Sequence, residues 1–200
     1  MDDEEDAAPT VLVVEDERAL VELYVRWLED GYDVLTANGG EEALQQFDET
    51  VDVVLLDRLM PGMSGDEVLE EIRRQSTDCK VAMVTAVEPD FDVISMGFDD
   101  YLTKPVERNE LVETIEGLLS RKEFADLERE LYSLVSKQAA LRSSKPAEEL
   151  EKSTEFAELE ERIETLRDEL DSAMPVMEDD DFVAMVRDIE SESGDADEGQ

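Results

Sequence analysis

No histidine occurs anywhere in this chain of 200 residues, which excludes an internal phosphohistidine, an imidazole general base and a His-ligated metal. Cysteine is nearly absent too. The single thiol, Cys79, cannot form an internal disulfide and fits a reducing compartment. No apolar run is long enough to span a bilayer and no basic start leads into an apolar core, so neither membrane insertion nor export by a recognisable signal is expected. Positive charge is scarce: 18 Lys and Arg stand against 57 Asp and Glu, a net charge of -39. Such a chain repels itself strongly in dilute buffer, whereas at about 1 M salt the screening length falls to roughly 3 Å and most of that repulsion disappears. The composition therefore reads as that of a protein built for a salt-rich cytoplasm. A disordered acidic chain is the competing reading, and it fits poorly with 41% hydrophobic residues arranged in periodic blocks.

What is present is organised around residues 51–65, VDVVLLDRLMPGMSG. An apolar run ends at Asp57 and is followed closely by Pro61, Gly62 and Gly65, which reads as a buried strand emptying into a loop with a carboxylate at its mouth. The pattern repeats along the chain. Residues 10–14 form a strand ending at Glu15 and Asp16; a helix from Glu17 carries Leu20, Leu23, Trp27 and Leu28, with Gly31 expected as its left-handed cap. A second strand spans 32–37 and a short helix 41–47. Ser64 is expected to cap a helix bearing Val68, Leu69 and Ile72. A fourth strand, 80–84, ends at Thr85; a short helical piece stops near Gly97; and a fifth strand, about 100–103, leads to Lys104 and a fifth helix through Leu111 and Ile115. Strands that are continuous apolar runs alternating with helices predict a parallel sheet covered on both faces. Asp16, Asp57, Thr85 and Lys104 then fall at the carboxyl ends of four different strands, on one rim.

Three acids in a small space cannot all stay ionised cheaply, so either a pKa rises or a cation enters; a hard divalent ion, Mg2+ by size and availability, suits carboxylates and substrate phosphate. Lys104 supplies a positive charge and Thr85 a hydroxyl, both suited to phosphoryl oxygens. A carboxylate can itself be the nucleophile that accepts a phosphoryl group. Each residue also has an ordinary reading: Glu15 and Asp16 as acids at a helix start, Thr85 as a strand residue, Lys104 as a surface charge. Their joint placement favours a self-phosphorylating aspartate site.

The segments VLVVEDE, LLDRLMPGMSG, VTA and DDYLTKP stand in the order and approximate spacing of the receiver domain of two-component response regulators, which residues 10–121 resemble. The resemblance implies a flavodoxin-like five-stranded parallel sheet of order 2-1-3-4-5, phosphorylated on Asp57 by a histidine kinase. It implies an acidic pair at Glu15 and Asp16, Mg2+ held by Asp16, Asp57 and the backbone carbonyl of Leu59, and Lys104 paired with the phosphoryl group. It also implies a switch in which Thr85 turns toward that group and Tyr101 swings inward, and a cis bond between Lys104 and Pro105. The positions that influence hydrolysis of the phosphoryl group in relatives are Leu59 and Val87 here; both are apolar, so slow dephosphorylation is expected.

Beyond Ser120 the helical signal continues through Phe124, Leu127, Leu131, Leu134 and Leu141, and again through Phe156, Leu159, Ile163, Leu166 and Leu170. Between them Pro146 suits the first turn of a second helix, giving an antiparallel all-α hairpin, although two seams could equally zip against a second subunit. The stretch ELYSLVSKQAALRSSKP with FAELEERIETLRDELD resembles the HalX-type helical domain attached to haloarchaeal receivers, which implies a transcription-related role. The organisation expected is an acidic leader at 1–9, a receiver at 10–121, a hairpin at 122–175, and at 176–200 a short amphipathic piece with Phe182, Val186 and Ile189 followed by an acidic tail. Residues 121–200 hold ten Lys and Arg against twenty-five Asp and Glu, a net of -15, which argues against a phosphate-binding face. The one basic cluster is Arg121, Lys122, Arg129, Lys137, Arg142 and Lys145. A cytoplasmic regulator acting on a downstream protein or the transcription machinery is the reading adopted, with a homodimer through the face of the fourth and fifth strand-helix pairs. Direct DNA binding by the helical domain and a phosphorylation-independent scaffold are the alternatives, and no enzymatic output is expected.

Overall fold

The computed structural model describes residues 8–173, apart from Thr77, Asp90 and the side chain of Asp92. The amphipathic piece expected around Phe182 and most of the acidic leader lie outside the described residues. Five strands, β1 (Thr10–Val14), β2 (Asp33–Ala37), β3 (Val53–Leu56), β4 (Lys80–Thr85) and β5 (Asp100–Thr103), form one parallel sheet in the order β2-β1-β3-β4-β5, as expected. The helices α1 (Arg18–Leu28), α2 (Gly40–Gln46), α3 (Gly65–Gln75) and α4 (Arg108–Ser144) follow strands β1, β2, β3 and β5.

Alternate residues of each strand feed opposite faces. Leu12, Val54, Leu56, Val81 and Met83 pack with Val68 and Ile72 of α3 and Ala43 of α2; Val11, Val13, Leu55 and Val84 pack with Tyr24 and Leu28 of α1 and Leu111, Ile115 and Leu118 of α4. Burial on both faces explains why these strands read as unbroken apolar runs. The described residues divide into two compact units between Glu123 and Phe124.

The boundaries hold three surprises. Gly31 is not a left-handed cap: α1 ends in right-handed backbone at Glu29, and the N–H groups of Gly31 and Tyr32 both donate to the Leu28 carbonyl, at 3.0 and 3.1 Å. Among the described residues the one positive-φ glycine is Gly62 (φ 81°), just after Pro61, where a turn needs it. The short helical piece before Gly97 is a single 3-10 stretch, Phe91–Ser95, too short for an amphipathic helix. Pro146 caps only a one-turn helix, α5 (Ala147–Leu150); the second long helix, α6 (Thr154–Ala173), starts later under Ser153, whose hydroxyl accepts from the Phe156 N–H at 3.1 Å. No described helix is long and apolar enough to cross a membrane.

In the second unit, Phe156, Ile163 and Leu166 of α6 are buried. Arg142 lies over the Phe156 ring and pairs with Glu160 at 2.7 Å, while Arg162 reaches Glu130 at 3.0 Å, so the two helices run antiparallel as expected. Core truncation should separate these layers from the surface. Ile115→Ala is expected to cost about 2–5 kcal/mol, and the exposed Phe91→Ala within about 0.5 kcal/mol, both read by denaturant unfolding.

Candidate functional site

Each site residue sits at the end of its strand or just past it. Glu15 and Asp16 follow β1, and the Glu15 N–H donates to the Ala37 carbonyl at 3.0 Å. Asp57 follows β3, with its N–H on the Val14 carbonyl at 2.9 Å; Thr85 is the last residue of β4; Lys104 follows β5, with its N–H on the Thr85 carbonyl at 2.8 Å. Sheet register therefore brings together residues that lie up to 89 positions apart in sequence. The Lys104 ammonium donates to Glu15 Oε2 at 2.5 Å and to Asp57 Oδ2 at 2.6 Å. Ligand oxygens of Glu15, Asp16 and Asp57 all lie within 4.8 Å of one another, Glu15 and Asp57 buried and Asp16 exposed. An open cleft lined by Glu15, Asp16, Asp57, Leu59, Thr85 and Lys104 gives access from solvent.

One ammonium among three carboxylates leaves the cluster net negative, and burial makes that costly. Burial pushes the Glu15 carboxyl above its ordinary value despite the hydrogen bonds from Lys104 and the Glu17 N–H. Burial alone would lower the Lys104 ammonium, but its bonds to Asp57 and Glu15 outweigh that and hold it above the usual lysine value. A hard divalent cation beside the three carboxylates fits this donor set.

The loop after Asp57 is tightly tied. The Leu59 N–H donates to Asp57 Oδ1 at 3.2 Å, and the Leu59 side chain is 66% exposed at the cleft. The Gly65 N–H donates to the Arg58 carbonyl at 2.9 Å, and a Cβ on Gly65 would lie 2.2 Å from the Asp57 carbonyl oxygen, so only glycine lets α3 start this close. Arg58 grips Asp66 of α3 through two nitrogens, at 3.0 and 3.2 Å, and Ser64 with Glu67 forms a capping box. Sequence reasoning took Gly65 as a loop residue with Pro61 and Gly62 and passed over Arg58 and Asp66; an oppositely charged pair flanking a Pro-Gly turn was the available signal. On the other side of the cleft, the Val87 N–H donates to Thr85 Oγ1 at 3.4 Å, and the Tyr101 hydroxyl donates to the Val87 carbonyl at 2.7 Å, with its ring against Phe98. Val87 thus joins the two residues named as a switch. The Lys104–Pro105 bond is cis.

Comparison with known families agrees with this geometry. The model of the response regulator receiver domain matches residues 11–116. The chain belongs to the response regulator receiver family. The HalX domain model matches residues 120–186 of this response regulator. A Haloferax volcanii protein provisionally named a transcriptional regulator is 49% identical over 169 residues, 84% of this chain and 29% of that one. The alkaline phosphatase synthesis transcriptional regulatory protein PhoP of Bacillus subtilis is 39% identical over 120 residues, 58% of this chain and 50% of its own length. The regulator thus spans half or less of these curated relatives. Among solved structures, a CheY-like receiver from Methanospirillum hungatei aligns with TM-score 0.55 at 28% identity, covering 58% of this chain and 98% of that one. The Thermotoga maritima response regulator TrrA, solved in complex with Mg2+-BeF, aligns with TM-score 0.51 at 40% identity, covering 56% and 99%.

Five of the six residues of the basic cluster, all but Lys137, pair with acids of this chain. Arg121 pairs with Asp100, Lys122 with Asp52, Arg129 with Asp126, Arg142 with Glu160 and Lys145 with Glu149.

Two predictions follow from the rim. Because the folded state holds Glu15 above its unfolded pKa of 4.5, its ionisation costs stability as pH rises above that value. Glu15→Gln should therefore raise the ion-free melting temperature at pH 7 and leave it little changed near pH 4.5, seen by thermal unfolding in chelator. Gly65→Ala should destabilise the receiver by about 1–3 kcal/mol through overpacking and weaken Mg2+ binding measured by calorimetry.

Proposed function

We propose that the protein is a cytoplasmic, phosphorylation-driven switch: Asp57 accepts a phosphoryl group from a histidine kinase, and the receiver passes the change to the helical domain in transcription-related regulation. The observation carrying this reading is the 2.6 Å contact between Lys104 and an Asp57 carboxylate that opens onto a cleft shared with Glu15, Asp16 and Thr85. The names of the relatives, as transcriptional regulators, support the output class.

In the transfer, a carboxylate oxygen of Asp57 attacks phosphorus, the N–P bond of the donor phosphohistidine breaks, and the departing imidazole nitrogen takes a proton. An acyl phosphate forms on Asp57. Lys104 stays close enough to pair with the phosphoryl oxygens as negative charge accumulates. Mg2+, held by Asp16, Asp57 and the Leu59 carbonyl with Glu15 beside them, would neutralise further charge on those oxygens. Nothing beyond this self-catalysed transfer and slow loss of the group is assigned as enzymatic activity.

The switch runs through Val87. A phosphoryl group on Asp57 offers the Thr85 hydroxyl a strong acceptor; moving that hydroxyl shifts the Val87 peptide, whose carbonyl the Tyr101 hydroxyl holds at 2.7 Å. Thr85→Ala should therefore still be phosphorylated, yet show no phosphorylation-dependent change in the NMR signals of the Tyr101 ring. Neither Leu59 nor Val87 carries a group that can orient an attacking water. The phosphorylated protein should persist for minutes or longer in magnesium buffer, followed by phosphate release; a half-life of seconds would contradict this. If Asp57→Asn leaves every partner interaction unchanged, the phosphorylation-independent scaffold replaces this reading.

A further inference from the structure

The helical hairpin buries one helix better than the other. On α6 the apolar residues Phe156, Ile163 and Leu166 are buried, and Leu159 and Leu170 are half-buried. On residues 124–144 of α4 no apolar side chain is fully buried, and the apolar arc continues past the edge that α6 covers. Tyr132 is 78% exposed there, one of four exposed large hydrophobic residues in the described chain. At the helical repeat, Tyr132 shares a ridge with Glu128, Val135, Ala139 and Arg142, in alternating steps of four and three residues. That is the spacing of a helix-pairing seam, not of a solvated face.

Two further features decide what covers the ridge. In a chain of net charge -39, residues 131–147 contain no acid and three cations, Lys137, Arg142 and Lys145. A two-fold contact doubles every charge it contains, and one centred on Val135 spans 128–142, where Glu128 and Glu130 stand against Arg129, Lys137 and Arg142, so two such acidic chains meet there with little repulsion. The ridge is also self-complementary when run against itself in the opposite direction. With Val135 on the axis, Glu128 of one copy stands opposite the partner's Arg142, and the large Tyr132 lies over the small Ala139 of the partner. Arg142 has donors to spare, since its bond to Glu160 engages one nitrogen of the guanidinium.

We infer that two copies of this chain pair antiparallel through the Tyr132 ridge of α4, making the HalX region a dimerisation element. The contact is independent of phosphorylation at Asp57, and its failure and that of the receiver reading are therefore separable.

Sedimentation velocity of the full chain at molar KCl tests it. A dimer is expected, weakened at least about tenfold by Tyr132→Glu, as for an aromatic anchor at an interface centre, and indifferent to Phe91→Glu; circular dichroism checks that each variant stays helical. Cysteine cross-linking gives the geometry, because burial pushes the Cys79 thiol up to about 12 and leaves an added cysteine as the reactive one. Val135→Cys should form disulfide-linked dimers under mild oxidant, whereas Lys137→Cys, turned away from the axis, should not. A Glu128→Cys chain mixed with an Arg142→Cys chain should give the mixed disulfide. A monomer at the highest soluble concentration, a dimer indifferent to Tyr132→Glu, or cross-links only between identical positions 128 and 128 would overturn the proposal.

Discussion

An ammonium group placed between two buried carboxylates governs the receiver. Lys104 reaches both Glu15 and Asp57 across strands that are distant in sequence, and without it two negative charges would sit at the end of an apolar sheet with no counterion. Leaving such a charge unpaired is among the most destabilising changes a fold can suffer. Yet one lysine does not balance three acids. The residual negative charge makes the rim a place where a cation, or a phosphoryl group accompanied by one, changes the electrostatic balance sharply.

The rest of the fold holds that balance in place. Parallel register carries the ends of β1, β3, β4 and β5 to one edge, and the layers on both faces fix the register by burying nearly every side chain of the three central strands β1, β3 and β4. The loop after Asp57 is pinned by the close start of α3 at Gly65 and by the Arg58–Asp66 pair, so the carboxylate does not depend on its own side-chain entropy for position. Opposite it, the described residues between β4 and β5 include the 3-10 stretch, and the Val87 peptide bonds to both the Thr85 and the Tyr101 hydroxyls.

Much of this was legible in the letters. Continuous apolar strands ending in Asp, Thr and Lys identify the parallel sheet and the rim because burial on two faces and strand-end chemistry both leave local marks in sequence. The capping box at Ser64 is equally local. What could not be read were effects that depend on distance in space. Gly31 looked like a helix cap, but the backbone closed through the Leu28 carbonyl instead; the closeness of Gly65 to the Asp57 carbonyl appears only when helix and strand are packed. The composition argued against a phosphate-binding face but did not say which acids the basic cluster would meet: Arg121 and Lys122 pair with Asp100 and Asp52, distant in sequence. Pro146 marked a break correctly, yet the second helix waited for the Ser153 cap.

The central claim is that Asp57 is the phosphoacceptor. Peptide mapping by mass spectrometry, after incubating the full chain with a small-molecule phosphodonor at high salt with and without Mg2+, tests it most directly. A single phosphoryl group on the peptide containing Asp57, formed only with Mg2+ and lost in Asp57→Asn, is the predicted result. Modification at another residue, or none in a folded sample that binds Mg2+, would contradict it.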